Sequence, residues 1–121
     1  MCKPILVVED SEDLSLLMKL TLESVGYEVE TASSGQEAIS SIFEVQPLLV
    51  LMDIMMPNTD GLEVSRSIKD DWANQDLPIL LVSAIDRLED QQLKTSKADG
   101  ILYKPFNLDD LISRVGELVE N

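Results

Sequence analysis

Short apolar runs of strand length, separated by segments of helical periodicity, constrain this chain more than any other feature. Nearly continuous runs occupy residues 5–8, 48–52 and 79–82, and weaker ones occupy 28–32 and 100–103. A continuous apolar run is typical of a strand covered on both faces in a parallel sheet, whereas the alternation in 28–32 indicates an edge strand. The pattern predicts an α/β fold, a doubly wound three-layer sandwich in which five strands alternate with five helices.

The helical segments carry end signals and apolar faces. Gly26 suits a left-handed cap, Ser34 and Glu37 form a capping-box pattern, and Asn107 precedes the last helix as an N-cap. The first helix is predicted to bury Leu14, Leu17, Met18, Leu22 and Val25, and the last to bury Leu108, Leu111, Ile112, Val115 and Leu118.

Length and charge limit the possible functions. The 121 residues, 45% of them apolar, are sufficient for one core, so we expect a single domain over residues 1–121. A net charge of −14 opposes contact with nucleic acid and favours a monomer or weak dimer. Because the chain has no histidine, phosphohistidine chemistry must come from a partner.

The chain carries no signal for membrane insertion or disulfide formation. No run approaches the roughly 20 apolar residues that span a bilayer, and Cys2, the single cysteine, cannot form an internal disulfide. We therefore expect a cytoplasmic protein that does not bind membranes.

Polar side chains follow four of the five predicted strands. Glu9 and Asp10 follow the first, Asp53 the third, Ser83 the fourth and Lys104 the fifth. Ligands of doubly wound folds gather at the carboxyl ends of the strands, so these side chains are predicted to share one site. Any one of them alone would more often be a turn residue or a helix cap.

The composition of this site points to phosphoryl transfer. The carboxylates of Glu9, Asp10 and Asp53 would repel one another without a cation, and an all-oxygen ligand set favours Mg²⁺. Ser83 and Lys104 could then hold the oxygens of a transferring phosphoryl group, and Asp53, central among the strands, is the candidate nucleophile.

Four motifs carry a resemblance to a known family, in order and over essentially the whole chain. They are VVED (7–10), LMDIMMPNTDG (51–61), VSA (82–84) and YKPF (103–106). Together they resemble the response-regulator receiver domain of two-component signalling, the CheY-like family. The resemblance implies a flavodoxin-like sandwich with strand order 2-1-3-4-5.

The resemblance also assigns roles to the strand-end residues. It implies that Asp53 is the phosphoacceptor and that Mg²⁺ is bound by Asp10, by Glu9 largely through water, by Asp53, and by the main-chain carbonyl of Met55. The donor would be a sensor histidine kinase or a histidine phosphotransfer protein. The output would be altered binding of an unknown downstream protein.

Further features follow from the same resemblance. Ser83 would be the switch hydroxyl and Lys104 its ionic partner, the Lys104–Pro105 peptide would be cis, and Gly61 would suit a tight turn after the active-site loop. Such a domain catalyses its own phosphorylation and dephosphorylation but is not a multiple-turnover enzyme.

The chain departs from the family pattern near the site. Ile101 stands where many relatives carry a rotating aromatic residue, and Tyr103 lies beside Lys104 instead. Met55 and Ile85 occupy the positions two after the phosphoacceptor and two after the switch hydroxyl. We hypothesise that these apolar side chains shield an acyl phosphate from water.

Three other readings of the same residues remain open. A haloacid-dehalogenase-like phosphatase also uses a strand-end aspartate, but its usual general acid is replaced here by Met55. A flavodoxin-like cofactor carrier needs a phosphate loop, whereas residues 9–13 are mostly acidic. A degenerate receiver could act as an interaction module independent of phosphorylation.

Overall fold

Five parallel strands form the central sheet of the computed structural model, which describes residues 3–56, 59–84 and 90–119. The strands of the described part are β1 (Ile5–Val8), β2 (Val29–Ala32), β3 (Leu49–Asp53), β4 (Met55–Met56), β5 (Thr59–Asp60), β6 (Ile79–Ser83) and β7 (Gly100–Tyr103). The order β2-β1-β3-β6-β7 is the predicted 2-1-3-4-5 order, because β4 and β5 pair only with each other. The fold prediction is confirmed, and the β4–β5 hairpin was not predicted.

Helices cover both faces of this sheet. Those of the described part are α1 (Glu12–Ser24), α2 (Gly35–Val45), α3 (Gly61–Asp70), α4 (Asp90–Ser96) and α5 (Leu108–Val119), with a short 3-10 helix at Trp72–Asn74. Helices α1 and α5 pack on one face, and α2, α3 and α4 pack on the other. None of the described helices is long and apolar enough to cross a membrane.

Two apolar clusters, one on each face of the sheet, make up the core. Alternate residues of β1 point to opposite faces, so Ile5 contributes to the cluster under α1 and α5 while Leu6 contributes to the other. All four residues of β1 and all five of β3 and β6 are buried. This double burial explains why the apolar runs of these strands are continuous.

The predicted helix caps are present, but the capping box of α2 is incomplete. Ser34 Oγ accepts the Glu37 N–H at 3.1 Å, whereas the Glu37 carboxylate accepts the N–H of Ser33 and not that of Ser34. Gly26, with φ +103°, follows Val25, the C-cap of α1. Its N–H donates to the carbonyl of Glu23, and the Tyr27 N–H donates to the carbonyl of Leu22. Such a pair of bonds satisfies carbonyls that the helix end leaves free. Ser34 caps α2, and the Asn107 side chain accepts the Asp110 N–H at 2.7 Å.

The predicted buried face of α1 is partly wrong. Leu17 is 46% exposed and Val25 is 47% exposed, whereas Ser15 and Thr21 are buried. Leucines of α1 lie on several sides of the helix, so helical periodicity alone does not identify its buried face. Besides Met18 and Leu22, the buried side of α1 includes the small side chains of Ser15 and Thr21. The Thr21 hydroxyl donates to the Leu17 carbonyl at 2.7 Å. In α5, Leu111 and Val115 are buried, and the other predicted positions are only partly covered or, at Leu108, exposed.

Candidate functional site

The carboxyl ends of four adjacent strands bring the predicted polar residues to one edge of the sheet. Glu9 follows β1, Asp53 ends β3, Ser83 ends β6 and Lys104 follows β7. The strand register places Asp53 opposite Val82 and Ser83 opposite Tyr103. The Lys104 N–H donates to the Ser83 carbonyl at 2.7 Å, so the last two strand ends are joined directly.

Three carboxylates meet at this edge. Glu9, Asp10 and Asp53 each offer an oxygen, and these oxygens lie within 4.8 Å of one another. Glu9 and Asp53 are buried, whereas Asp10 is exposed. The acidic cluster predicted from strand ends is therefore present, with one side open to solvent.

Among the described residues, Lys104 is the cation that faces this cluster. Its Nζ lies 3.5 Å from Glu9 Oε1 and 3.5 Å from Asp53 Oδ2. One ammonium shared at these distances cannot balance three carboxylates, so ionised side chains would leave an excess of negative charge in a largely buried site.

The Glu9 carboxyl has a raised pKa in this site. Burial, followed by hydrogen bonding to Asp53, raises the pKa of the Glu9 carboxyl from its ordinary 4.5 to about 7. Its Oε2 accepts the Ser11 N–H at 3.2 Å. Its Oε1 is buried and has no hydrogen-bond partner within the described part of the chain.

The donor set fits a hard divalent cation. Clustered carboxylate oxygens, one of them buried without a hydrogen-bond partner, supply the ligand type that Mg²⁺ prefers, and two positive charges would offset the repulsion among them. The cation would also favour the ionised form of Glu9. The ligand role of the Met55 carbonyl stays a prediction.

A small hairpin fixes the segment after Asp53. Asp53 Oδ1 accepts the Met55 N–H at 3.1 Å, and Met55 pairs with Asp60 across the β4–β5 ladder. The Asp60 side chain then caps α3 by accepting the Leu62 N–H at 3.0 Å. Sequence reasoning missed this hairpin, although an aspartate before an amphipathic segment was a usable signal for the cap.

The remaining predictions near the site have mixed outcomes. The Lys104–Pro105 peptide is cis, as expected. Ile101 is half-buried and packs against the apolar cluster under α2, α3 and α4, whereas Tyr103 is exposed. The Met55 side chain is exposed, and Ile85 lies outside the described residues. Ser83 is fully buried.

Comparison with known proteins assigns this chain to a family. The family model for the response regulator receiver domain matches residues 5–116, and the chain belongs to that family. Among solved structures, the chemotaxis response regulator CheY4 of Vibrio cholerae is 29% identical with a TM-score of 0.90, covering 98% of this chain and 99% of that one. TrrA of Thermotoga maritima, solved in complex with Mg²⁺ and BeF, is 37% identical with a TM-score of 0.86, covering 96% and 98%.

The curated relatives are longer proteins. RpaA of Synechocystis sp., named a DNA-binding dual master transcriptional regulator, is 33% identical over 95% of this chain and 48% of its own length. The transcriptional regulatory protein TrcR of Mycobacterium tuberculosis is 37% identical over 95% of this chain and 44% of its own length. The chain thus spans about half the length of these relatives, and the expectation of no nucleic-acid partner remains a prediction.

Proposed function

We propose that Asp53 accepts a phosphoryl group from the phosphohistidine of a sensor histidine kinase or a histidine phosphotransfer protein. The observation that carries this proposal is the buried Asp53 carboxylate, which lies 3.5 Å from the Lys104 ammonium and within 4.8 Å of oxygens from Glu9 and Asp10. A nucleophile, a cation and a divalent-metal ligand set are the parts that phosphoryl transfer needs.

In the transfer step a carboxylate oxygen of Asp53 forms a bond to phosphorus. The bond between phosphorus and the partner's imidazole nitrogen breaks, its electron pair stays on that nitrogen, and the nitrogen takes a proton from solvent. Lys104 offsets charge on the phosphoryl oxygens, and Ser83, at the end of the adjacent strand, provides a hydroxyl for them. The Met55 N–H, bonded to Asp53 Oδ1 at 3.1 Å, orients the nucleophile.

Mg²⁺ would be held by Glu9, Asp10, Asp53 and the Met55 carbonyl. When bound it supplies positive charge that screens the carboxylates from the incoming phosphoryl group.

The exposed leucines of α1 support the need for a protein partner. Leu16, Leu17 and Leu20 are each about half exposed on a helix that begins two residues after Asp10. An exposed apolar surface on the helix that follows Asp10 suits a partner helix that presents a phosphohistidine. The chain itself supplies no histidine for the donor side.

Phosphorylation would alter which proteins the chain binds. The new group adds close to two negative charges beside Ser83 and Lys104. This charge biases a two-state rearrangement of α4, β7 and α5, and a downstream protein binds the altered face. The chain would act in the cytoplasm as a monomer or weak dimer, without multiple-turnover activity.

Intact-mass spectrometry tests the proposal. Incubation with acetyl phosphate and Mg²⁺ should add one phosphoryl group to the wild type and none to Asp53→Asn. Asp109→Asn is the matched control, because Asp109 is an exposed carboxylate at the start of α5. It should react like the wild type.

Omission of Mg²⁺ should suppress the reaction of the wild type. If no adduct forms under any of these conditions, the proposal is wrong and an interaction module independent of phosphorylation takes its place.

A further inference from the structure

Met55 differs from its neighbouring methionines in exposure. Its side chain is 58% exposed, whereas Met18, Met52 and Met56 are buried. Oxidation of a thioether requires that the oxidant reach the sulfur, so among the described methionines Met55 is the one that a dissolved peroxide meets first.

Met55 is also fixed beside the phosphoacceptor. It stands two residues beyond Asp53, its N–H donates to Asp53 Oδ1 at 3.1 Å, and the β4–β5 ladder pairs it with Asp60. These contacts involve the main chain. A chemical change of the exposed Met55 side chain would therefore leave these main-chain contacts in place and change the polarity of the residue two positions beyond Asp53.

The geometry points to Met55 as an oxidation site whose sulfoxide shortens the lifetime of the acyl phosphate on Asp53. This inference rests on the proposed function. In the modification, a sulfur lone pair bonds to one oxygen of hydrogen peroxide as the O–O bond breaks, and water leaves. The thioether is oxidised and the peroxide is reduced.

The shorter lifetime of the acyl phosphate follows from the polarity of the Met55 sulfoxide. A thioether is a weak hydrogen-bond acceptor, whereas a sulfoxide oxygen is a strong one that can hold a water molecule beside the site. Hydrolysis occurs when water attacks phosphorus and the bond from phosphorus to the Asp53 oxygen breaks, which releases phosphate and restores the carboxylate. Oxidised protein should thus lose its phosphoryl group faster than reduced protein.

The experiment measures the oxidation of Met55 and the lifetime of the acyl phosphate separately. In a Cys2→Ser background, which removes the thiol, the protein is treated with hydrogen peroxide and oxygen uptake is located by peptide mapping. The protein is then phosphorylated with acetyl phosphate and Mg²⁺, freed of the donor, and followed by intact mass. We expect oxygen on Met55 before Met18, Met52 or Met56, and a phosphoryl lifetime several-fold shorter after oxidation.

Two variants serve as controls, each compared with itself before and after peroxide. Met55→Leu retains every other methionine, so its lifetime should not respond to peroxide. Met56→Leu alters the neighbouring buried residue and should respond as the parent does. Met55→Gln, which is polar without oxidation, should have a short lifetime even when untreated.

The possible failures are distinguishable. If another described methionine is oxidised first, or if oxidised Met55 leaves the lifetime unchanged, the inference is wrong while the proposed function stands. If the reduced protein takes up no phosphoryl group, the proposed function fails and the inference fails with it.

Discussion

Gly61 packs directly against the main chain of Asp53, so closely that a β-carbon on Gly61 would lie 2.6 Å from the Asp53 carbonyl oxygen. The same β-carbon would lie 2.6 Å from the Cα of Ile54. Gly61 begins α3, and its N–H donates to the Ile54 carbonyl at 3.0 Å. The resemblance implied a glycine suited to a tight turn, and the structure adds a close approach of backbone to backbone.

Replacement of Gly61 by alanine should therefore destabilise the protein and shift Asp53. Neither contact can relax by a side-chain rotation, so we expect a loss of about 1–3 kcal/mol in the free energy of unfolding, typical of an overpacked position. Urea denaturation measures this loss.

Gly116→Ala is the matched control, because a β-carbon there meets nothing within 4 Å. It should stabilise the protein by up to about 1 kcal/mol through helix propensity. Equal stability of Gly61→Ala and the wild type would contradict the packing argument.

The sequence predicted those site residues that stand at the carboxyl ends of strands. Once continuous apolar runs identified the buried strands, the parallel sheet had to bring Glu9, Asp53, Ser83 and Lys104 to a common edge. The side chains of Glu9, Asp53 and Lys104 lie close together because strand order and register place them there. The strand pattern alone predicted the strands and their carboxyl ends, whereas the order 2-1-3-4-5 was implied by the family resemblance.

The parts that sequence did not predict depend on tertiary packing. The buried face of α1 was partly misassigned because Ser15 and Thr21 are buried whereas Leu17 and Val25 are about half exposed. The β4–β5 hairpin has strands of two residues each, too short for periodicity to detect. Lys69, a residue type that is mostly exposed, gave no signal that it would be buried.

Lys69 is paired at the edge of the sheet opposite the site. Its Nζ lies 2.7 Å from Asp99 Oδ2 and donates to the Gln75 carbonyl at 3.3 Å, and the Lys69 side chain is only 6% exposed. The same Asp99 oxygen accepts the Ile79 N–H at 2.8 Å. The pair therefore ties α3 to the first residue of β6 and to the residue before β7.

Lys69→Ala should cost about 2 kcal/mol of unfolding free energy, less than a fully enclosed pair, because Asp99 is 36% exposed and keeps some solvation. The measurement is chemical denaturation. Arg66→Ala is the control, since the Arg66–Asp70 pair is about half exposed on both sides, and it should change stability by no more than about 0.5 kcal/mol. Similar effects of the two substitutions would show that burial of Lys69 does not strengthen its contacts.

The raised pKa of Glu9 predicts a loss of stability as pH rises. Between pH 4.5 and about 7 the folded protein holds a proton on Glu9 that the unfolded chain has released. Folding is therefore favoured below this window and weakened across it, by up to about 3 kcal/mol without Mg²⁺. Because Gln does not titrate, the unfolding free energy of Glu9→Gln relative to the wild type should rise across the window.

Urea denaturation at several pH values in the presence of a chelator measures this difference. Asp10→Asn is the comparison, because Asp10 belongs to the same cluster but is exposed. The unfolding free energy of Asp10→Asn should follow that of the wild type more closely across this pH range. Curves for Glu9→Gln and the wild type that run parallel from pH 4.5 to 8 would rule out the proposed titration of Glu9.

Mg²⁺ should reverse the loss of stability at high pH. A cation bound only to the folded state adds about 2.7 kcal/mol at a concentration one hundred times its dissociation constant. At pH 5.5 it must displace the proton on Glu9, so the stabilisation at a given Mg²⁺ concentration should be smaller than at pH 8. Sodium chloride at matched ionic strength is the control, because salt alone screens the net charge of −14.

A metal bound at the carboxylate cluster would be supported if Mg²⁺ stabilises the protein more than sodium chloride does. This extra stabilisation should be lost on chelation and weakened in Asp53→Asn. Equal effects of the two salts would mean that Mg²⁺ acts only by screening.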